Sequence, residues 1–179
     1  MVGVRMTTKE LFSFPNPVNE YAARMVAGMV LTVTLAIIVF SAYWLLPILA
    51  YGFVARVVSG PTLSPMGLLA TRVLVPLFGN HARLVPGPPK RFAQGIGVIF
   101  AVSANILHFS FGLTEAAHVT LGVLAAFAGL EALLGFCAGC FVFNRLMHWG
   151  LVPASVCESC YNLDLRGADY IARQSGPRP

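Results

Sequence analysis

The sequence predicts an all-α membrane protein: a polytopic helical bundle with about four transmembrane helices. Three observations lead to this class. Of the 179 residues, 57% are hydrophobic and only 11% are charged, whereas a typical soluble domain carries about 25% charged residues. Two long stretches, 25–55 and 92–114, contain no charged residue, and 116–144 contains only Glu131. The Lys and Arg residues lie between and outside these stretches, as they do in proteins that cross a membrane.

The apolar stretches divide into four spans. One helical span needs about 20 residues, so the first stretch is too long for one span and slightly short for two. Pro47, in "FSAYWLLP" (40–47), disfavours continuous helix and divides it. The second of the resulting segments is short, so it either spans the membrane or is re-entrant. The expected spans are 23–41, 43–58, 92–112 and 116–146.

The distribution of cations gives the orientation. The expected outer turns carry no Lys or Arg, while the central loop and both ends of the chain are basic. The positive-inside rule then predicts a multi-pass protein of the plasma membrane with both termini cytoplasmic. The lipid bilayer is its expected partner, and no nucleic acid is, because no basic cluster alternates with aromatic residues. The predicted regions are a head at 1–22, a membrane domain at 23–148 with a central loop at 59–91, and a tail at 149–179.

The connecting segments carry helix-start signals. Asn19 is an expected N-cap for the first span. Ser64 and Pro65 are expected at the N-cap and first position of a helix in the central loop. That helix either lies in the membrane interface or packs on the bundle. Lys90, just before the third span, is expected to act as a snorkelling anchor for the topology.

All four cysteines fall in two C-x-x-C pairs, Cys137 with Cys140 and Cys157 with Cys160. If 116–148 is one helix, the first pair shares a stripe with Asn144 and His148 near its cytoplasmic end. The first pair then lies about 7 to 12 Å deep, counted from Arg145 at 1.5 Å per residue. The segment after His148 is long enough to return the second pair to the stripe.

Three uses of these cysteines remain open on the sequence. The leading one is catalytic: thiol–disulfide exchange or sulfur relay through Cys137, Cys140, Cys157 and Cys160, supported by His148, Asn144 and Arg145. Its weak point is that burial in hydrocarbon raises thiol pKa values. The second use is a zinc site formed by the same four thiolates, and the third is packing alone. The last two describe a non-enzymatic accessory or scaffold subunit, whose expected partner is a larger membrane complex.

Three polar residues are expected inside the membrane: Glu131, Asn105 and His108. The favoured interpretation is a neutral Glu131 that hydrogen-bonds Asn105, which stabilises helix packing by about 1 kcal/mol. The alternative is a proton relay between Glu131 and His108. A transport site at Glu131 would require an oligomer, because four short helices enclose little space.

Four pieces of the chain taken together, "FPNPVNEYAARM", "LSPMGLLATRVLVPLFG", "PPKRFAQGIG" and "GFCAGCFVF", resemble a bacterial membrane family catalogued as domain of unknown function 4395. The resemblance covers about positions 14–150. It implies the membrane class and location but no activity. It also implies thioredoxin-like or rhodanese-like partners, and hence thiol chemistry. Cys157 and Cys160 lie outside the matching part.

Overall fold

A computed structural model describes residues 14–79, 83–153 and 156–157, and their fold confirms the all-α class. Helices account for nearly all of the regular structure, with one short antiparallel pairing between β1 (Val18–Asn19) and β2 (Leu84–Val85). The six helices are α1 (Glu20–Phe40), α2 (Leu45–Ser59), α3 (Pro65–Leu77), α4 (Gly87–Ser110), α5 (Thr114–Leu134) and α6 (Ala138–His148).

Among the described residues, three helices are long and apolar enough to cross a membrane: α1, α4 and α5. They contain 21, 24 and 21 residues. Helix α2 is equally apolar but has 15 residues, or about 22 Å at 1.5 Å per residue. A bilayer core is about 30 Å thick, so α2 is shorter than a typical span, as its sequence predicted.

The predicted start signals are confirmed. The Asn19 side chain accepts a hydrogen bond from the Tyr21 amide at 3.0 Å and caps α1. The Ser64 hydroxyl accepts one from the Gly67 amide at 3.3 Å and caps α3. The break between α1 and α2 also falls where it was predicted, in 41–44. Pro47 is the third residue of α2, where its missing N–H costs no helical hydrogen bond.

Helix α3 packs against the bundle along one face and leaves another face uncovered. Ala70 is fully buried and belongs to the main hydrophobic core. Val73 and Leu77, two larger apolar residues of this helix, are 50% and 73% exposed. The residues of α3 that are buried against the bundle are instead Gly67, Ala70 and Val75.

The core lies between α1, α2, α4 and α5. Its largest fully buried side chains are Ile37, Leu46, Leu49 and Leu121. Small residues bring the helices close together. A side chain at Gly97 of α4 would collide with the Phe53 ring of α2, so only glycine permits this spacing.

Candidate functional site

The site begins where α5 ends, and this end corrects the sequence prediction. The segment 116–148 was expected to form one helix. Instead α5 ends at Leu134, Gly135 adopts a left-handed conformation with φ of 70°, and α6 begins at Ala138. The Gly135 amide donates to the Glu131 carbonyl, which satisfies part of the helix end.

A cation from a distant part of the chain completes that helix end. Arg24 of α1 donates to the carbonyl oxygens of Ala132 at 3.1 Å and Leu133 at 2.9 Å. Carbonyls in the last turn of a helix have no partner within it, and a positive charge there is favourable. Arg24 and the Gly135 turn therefore end α5 just before the first cysteine pair.

The first cysteine pair lies at the N-terminus of α6 rather than within a long helix. Cys137 is the N-cap residue, and its sulfur accepts a hydrogen bond from the Cys140 amide at 3.3 Å. The Cys140 thiol donates to the same sulfur at 2.6 Å. Both cysteines are free and partly buried. Cys137 thus receives two hydrogen bonds at a helix terminus, where negative charge is favoured.

The two thiols differ in acidity. The hydrogen bond from Cys140 lowers the pKa of Cys137 below its ordinary value, and the positive charge of Lys90 also lowers it, against the opposing effects of burial and Glu131. The same hydrogen bond and burial raise the pKa of Cys140. Cys137 follows the last candidate span. Burial still raises its pKa, but the hydrogen bond from Cys140 has the larger effect, so the expected weakness of a buried thiol is offset.

Beside this pair lies a buried ion pair that the sequence pattern did not reveal. Lys90 Nζ and Glu131 Oε1 are 2.6 Å apart, and their side chains are 9% and 15% exposed. Lys90 is therefore not a snorkelling anchor, and Glu131 is not hydrogen-bonded to Asn105. Asn105 donates to the backbone oxygens of Leu46 at 3.0 Å and Ala101 at 2.8 Å.

The depth assigned to Glu131 is also corrected. It lies in the last turn of α5, close to the end of that span rather than near mid-membrane. His108 lies near the opposite end of α4 from Lys90, about 27 Å away along the helix. The alternative of a relay between Glu131 and His108 is therefore wrong as well, because Glu131 and its partner Lys90 lie at the other end of the bundle.

A second buried cation lies close to the ion pair. Arg56 is 4% exposed, and its Nε donates to Gln94 Oε1 at 2.9 Å. Its guanidinium also lies over the Phe53 ring, 4.5 Å from the centroid. Its Nη2 atom has no hydrogen-bond partner among the described residues. In the sequence, Arg56 directly follows a long uncharged stretch. That position indicates the topology of the chain, but it does not show by itself that the side chain is buried.

The remaining predicted site residues lie on the helix that begins at the thiols. Asn144, Arg145 and His148 are on α6, and all three side chains are exposed. The charges that act on Cys137 and Cys140 come from Lys90 and Glu131.

The tail does return to α6, as its length allowed. Cys157 is 4% exposed and packs with Phe143 and Met147, beyond the turn that holds Cys140. It is disulfide-bonded, and Cys160 lies outside the described residues. Within the described part of the chain, no three His, Cys, Asp or Glu side chains are grouped to hold a metal ion.

Two of the histidines, His108 and His118, form a separate cluster at the other end of the bundle. The rings of Tyr43 and His108 stack with centroids 4.0 Å apart. The Tyr43 hydroxyl and His118 Nε2 are 3.1 Å apart, and His108 Nδ1 lies 3.2 Å from Thr114 Oγ1. We refer to Tyr43, His108, Thr114 and His118 as the histidine end. The opposite end, with Arg24, Arg56, Lys90, Glu131 and Cys137, is the thiol end.

Fold and site together define a small helical membrane protein with a free dithiol at the start of a short helix. The chain belongs to the family described as a domain of unknown function (DUF4395), whose model matches residues 18–148. This range includes α1 to α6 and the first cysteine pair, and it excludes the second. No curated protein and no solved structure matches the chain.

Proposed function

We propose that this protein carries out thiol–disulfide exchange, with Cys137 as the nucleophile and Cys140 as the resolving thiol. The observation that carries the proposal is the pair of hydrogen bonds to Cys137 Sγ, from the Cys140 amide and the Cys140 thiol. These bonds favour the thiolate over the thiol. A thiolate is the form that attacks disulfides.

The exchange takes place in two steps. The Cys137 thiolate attacks one sulfur of a partner disulfide, and the other partner sulfur leaves as a thiolate. Cys140 then loses its proton and attacks Cys137 Sγ, which releases the second partner sulfur. The net result is a Cys137–Cys140 disulfide and a partner dithiol, with two electrons transferred. Sulfur transfer is the related reaction, in which Cys137 receives a sulfane sulfur.

The cellular setting of this proposal follows from the charges. Arg24, Arg56 and Lys90 lie at the thiol end, which the positive-inside rule assigns to the cytoplasm. A multi-pass protein of the plasma membrane with both termini in the cytoplasm fits this assignment. Its partner would be a thioredoxin-like or rhodanese-like protein, and Cys157 and Cys160 would form a second exchanging pair on the tail.

The alternative function is that of an accessory or scaffold subunit without enzymatic activity. The burial of Cys157 against Phe143 and Met147 favours it, because a disulfide-bonded cysteine inside an apolar cluster is shielded from an exchange partner. In its zinc form, the Cys157 disulfide would be reduced first, and Cys137, Cys140, Cys157 and Cys160 would then together bind the ion. Metal content of protein purified without chelator separates this form from the exchange function.

The pH dependence of alkylation tests the leading proposal. In detergent-solubilised protein, the alkylation rate of Cys137 should rise with pH around a midpoint below that of an ordinary thiol. The Cys140→Ala variant loses the thiol donor, so its midpoint should move upward and its rate at neutral pH should fall. Mass spectrometry of the peptide that contains both residues measures each rate.

Trapping of the intermediate is the companion experiment. With oxidised glutathione, Cys140→Ser should accumulate a mixed disulfide on Cys137, because no resolving thiol remains. Cys137→Ser is the matched control and should accumulate none at Cys140. Equal and ordinary reactivity of both cysteines, or no trapped species, would contradict the proposal.

A further inference from the structure

A cavity lies directly beside the nucleophilic cysteine. It has a volume of about 130 Å³, and residues from α1, α2, α4, α5, α6 and the turn before α6 form its walls. Three wall residues are polar: Cys137, Glu131 and Gln94. The other wall residues are alanine, glycine or larger apolar residues. An apolar space thus lies next to a thiol pair and an ionisable carboxyl group.

The size of the cavity restricts what it can hold. An engineered apolar cavity of about 150 Å³ in another protein stays dry and binds one benzene molecule. The cavity beside Cys137 therefore suits a single six-membered ring. A flavin or a haem, with several fused or linked rings, is too large, and a charged acceptor is disfavoured by the apolar walls.

The cavity opens toward the apolar surface of the bundle. Phe127 of α5 and Val142 of α6 line it, and they are 41% and 43% exposed. Their neighbours on the surface of α5, Val123 and Leu130, are also exposed and apolar. A ligand that enters between α5 and α6 therefore comes from the lipid rather than from water.

Close packing keeps the thiol pair against the cavity. Gly139 of α6 lies so near Ala93 of α4 that an added Cβ would come within 2.5 Å of the Ala93 Cβ. Helix α6 therefore packs closely against α4, and Cys137 forms part of the cavity wall. A dithiol held in this way can react with a molecule in the cavity without a large movement of the helix.

We propose that the cavity admits the ring of a lipid-soluble quinone, and that the Cys137–Cys140 dithiol reduces it. This inference rests on the proposed exchange function and names the acceptor of its electrons. Here the partner is the electron donor: its dithiol reduces the Cys137–Cys140 disulfide in the reverse of the proposed exchange steps, and the quinone then oxidises the Cys137–Cys140 dithiol and restores the disulfide. The quinone is met from the membrane side and the partner dithiol from the aqueous side.

The reaction balances as a two-electron transfer. The Cys137 thiolate adds to a ring carbon and forms a C–S bond. Cys140 loses its proton and attacks Cys137 Sγ; the S–S bond forms, the C–S bond breaks, and the electron pair stays with the ring. Two protons, equal in number to those lost by the thiols, complete the hydroquinone. Glu131 lines the same cavity and is placed to pass one of them.

The test uses the full chain, reduced and placed in lipid nanodiscs without oxygen. The probe is a ubiquinone with one prenyl unit, whose ring carbons are all substituted and form no stable adduct with thiols; the cavity holds its ring, and the substituents extend past Phe127 and Val142 to the surface. Quinone absorbance and alkylation of the Cys137–Cys140 peptide are followed together. We expect one quinone to be reduced for each Cys137–Cys140 disulfide formed.

A matched pair of variants tests the place of entry. Val142→Trp closes the mouth and should slow quinone reduction by about tenfold or more. Phe141→Trp is the control, since Phe141 is exposed on the same helix but is not part of the cavity wall; it should react as the wild type does. Ala128→Leu fills the cavity from α5 and should reproduce the loss without a change in α6. If Val142→Trp fails to fold, Ala128→Leu still tests whether the cavity is needed for quinone reduction.

Exchange with oxidised glutathione separates this inference from the function on which it rests. The reduced Val142→Trp and Ala128→Leu proteins should react with glutathione disulfide as the wild type does. A wild-type protein that exchanges with glutathione but reduces no quinone overturns the inference and leaves the exchange function intact. The same holds if both variants reduce quinone at the wild-type rate. A wild-type protein that reacts with neither overturns both.

Discussion

The two ends of the bundle stabilise their buried polar groups through different interactions. At the thiol end, charged side chains are buried and compensate one another, as Lys90 and Glu131 do. At the histidine end, polar rings stack and hydrogen-bond, as Tyr43 does with His108 and His118. The same helices, α4 and α5, contribute to both ends.

The difference indicates where reactive chemistry is located. A buried charge is costly unless it is paired, so the ion pair at the thiol end persists because α4 and α5 each supply one partner. Those ions also act on the acidity of Cys137 and Cys140, in addition to the larger effects of the hydrogen bond between the two thiols and of burial. The histidine end contains no Lys or Arg in 106–118, and its side-chain contacts join tyrosine, threonine and histidine. We therefore expect changes at the two ends to differ both in size and in their effect on the thiols.

The largest expected effect is at the ion pair. Lys90→Met leaves Glu131 partly buried without its partner and should reduce stability by about 3–5 kcal/mol. Thermal unfolding in a single detergent measures this loss. The matched control is Arg83→Met, because Arg83 pairs with Glu20 but its side chain is 73% exposed. That change should cost about 1 kcal/mol or less.

A double substitution tests whether Lys90 and Glu131 stabilise the protein as a pair. Lys90→Met combined with Glu131→Gln removes both charges, so the double variant should unfold at a higher temperature than Lys90→Met alone. If the double variant is as unstable as the sum of the two single variants, the residues do not act as a pair.

The next effect is at the contact between α6 and α4. Gly139→Ala places a Cβ against Ala93 and should destabilise the protein by about 1–3 kcal/mol. The displaced helix should also change the alkylation rates of Cys137 and Cys140. Gly122→Ala is the control, since nothing lies within 4 Å of its added Cβ. It should be neutral or slightly stabilising. Equal effects of the two substitutions would show that the close approach has no energetic importance.

The smallest effect is expected at the histidine end. Tyr43→Phe keeps the ring that stacks on His108 and removes the hydroxyl that meets His118. The loss should be about 1 kcal/mol or less, as for other interhelical hydrogen bonds in membranes. Cys137 alkylation should not change. A change in thiol reactivity in this variant would mean that the two ends are coupled and do not act independently.

Local signals were enough to predict much of the architecture. Long uncharged stretches predicted the membrane class, and the start signals at Asn19 and Ser64 predicted two helix boundaries. These features are decided by neighbouring residues, because capping and hydrophobicity act over a few positions. The C-x-x-C spacing likewise pointed to Cys137 and Cys140 from the sequence alone.

The sequence by itself determined that this chain forms apolar helices suited to a membrane and that its first cysteine pair follows the last of them. The tertiary structure alone decided that α5 ends before Cys137, since Arg24, 108 residues away from Ala132, binds the last carbonyls. It also decided that Glu131 pairs with Lys90 rather than with Asn105. Glycine in an apolar helix is common in membranes, so Gly135 was not a clear stop signal. The partner of a buried charge depends on which helices meet, and that is settled only when the bundle packs.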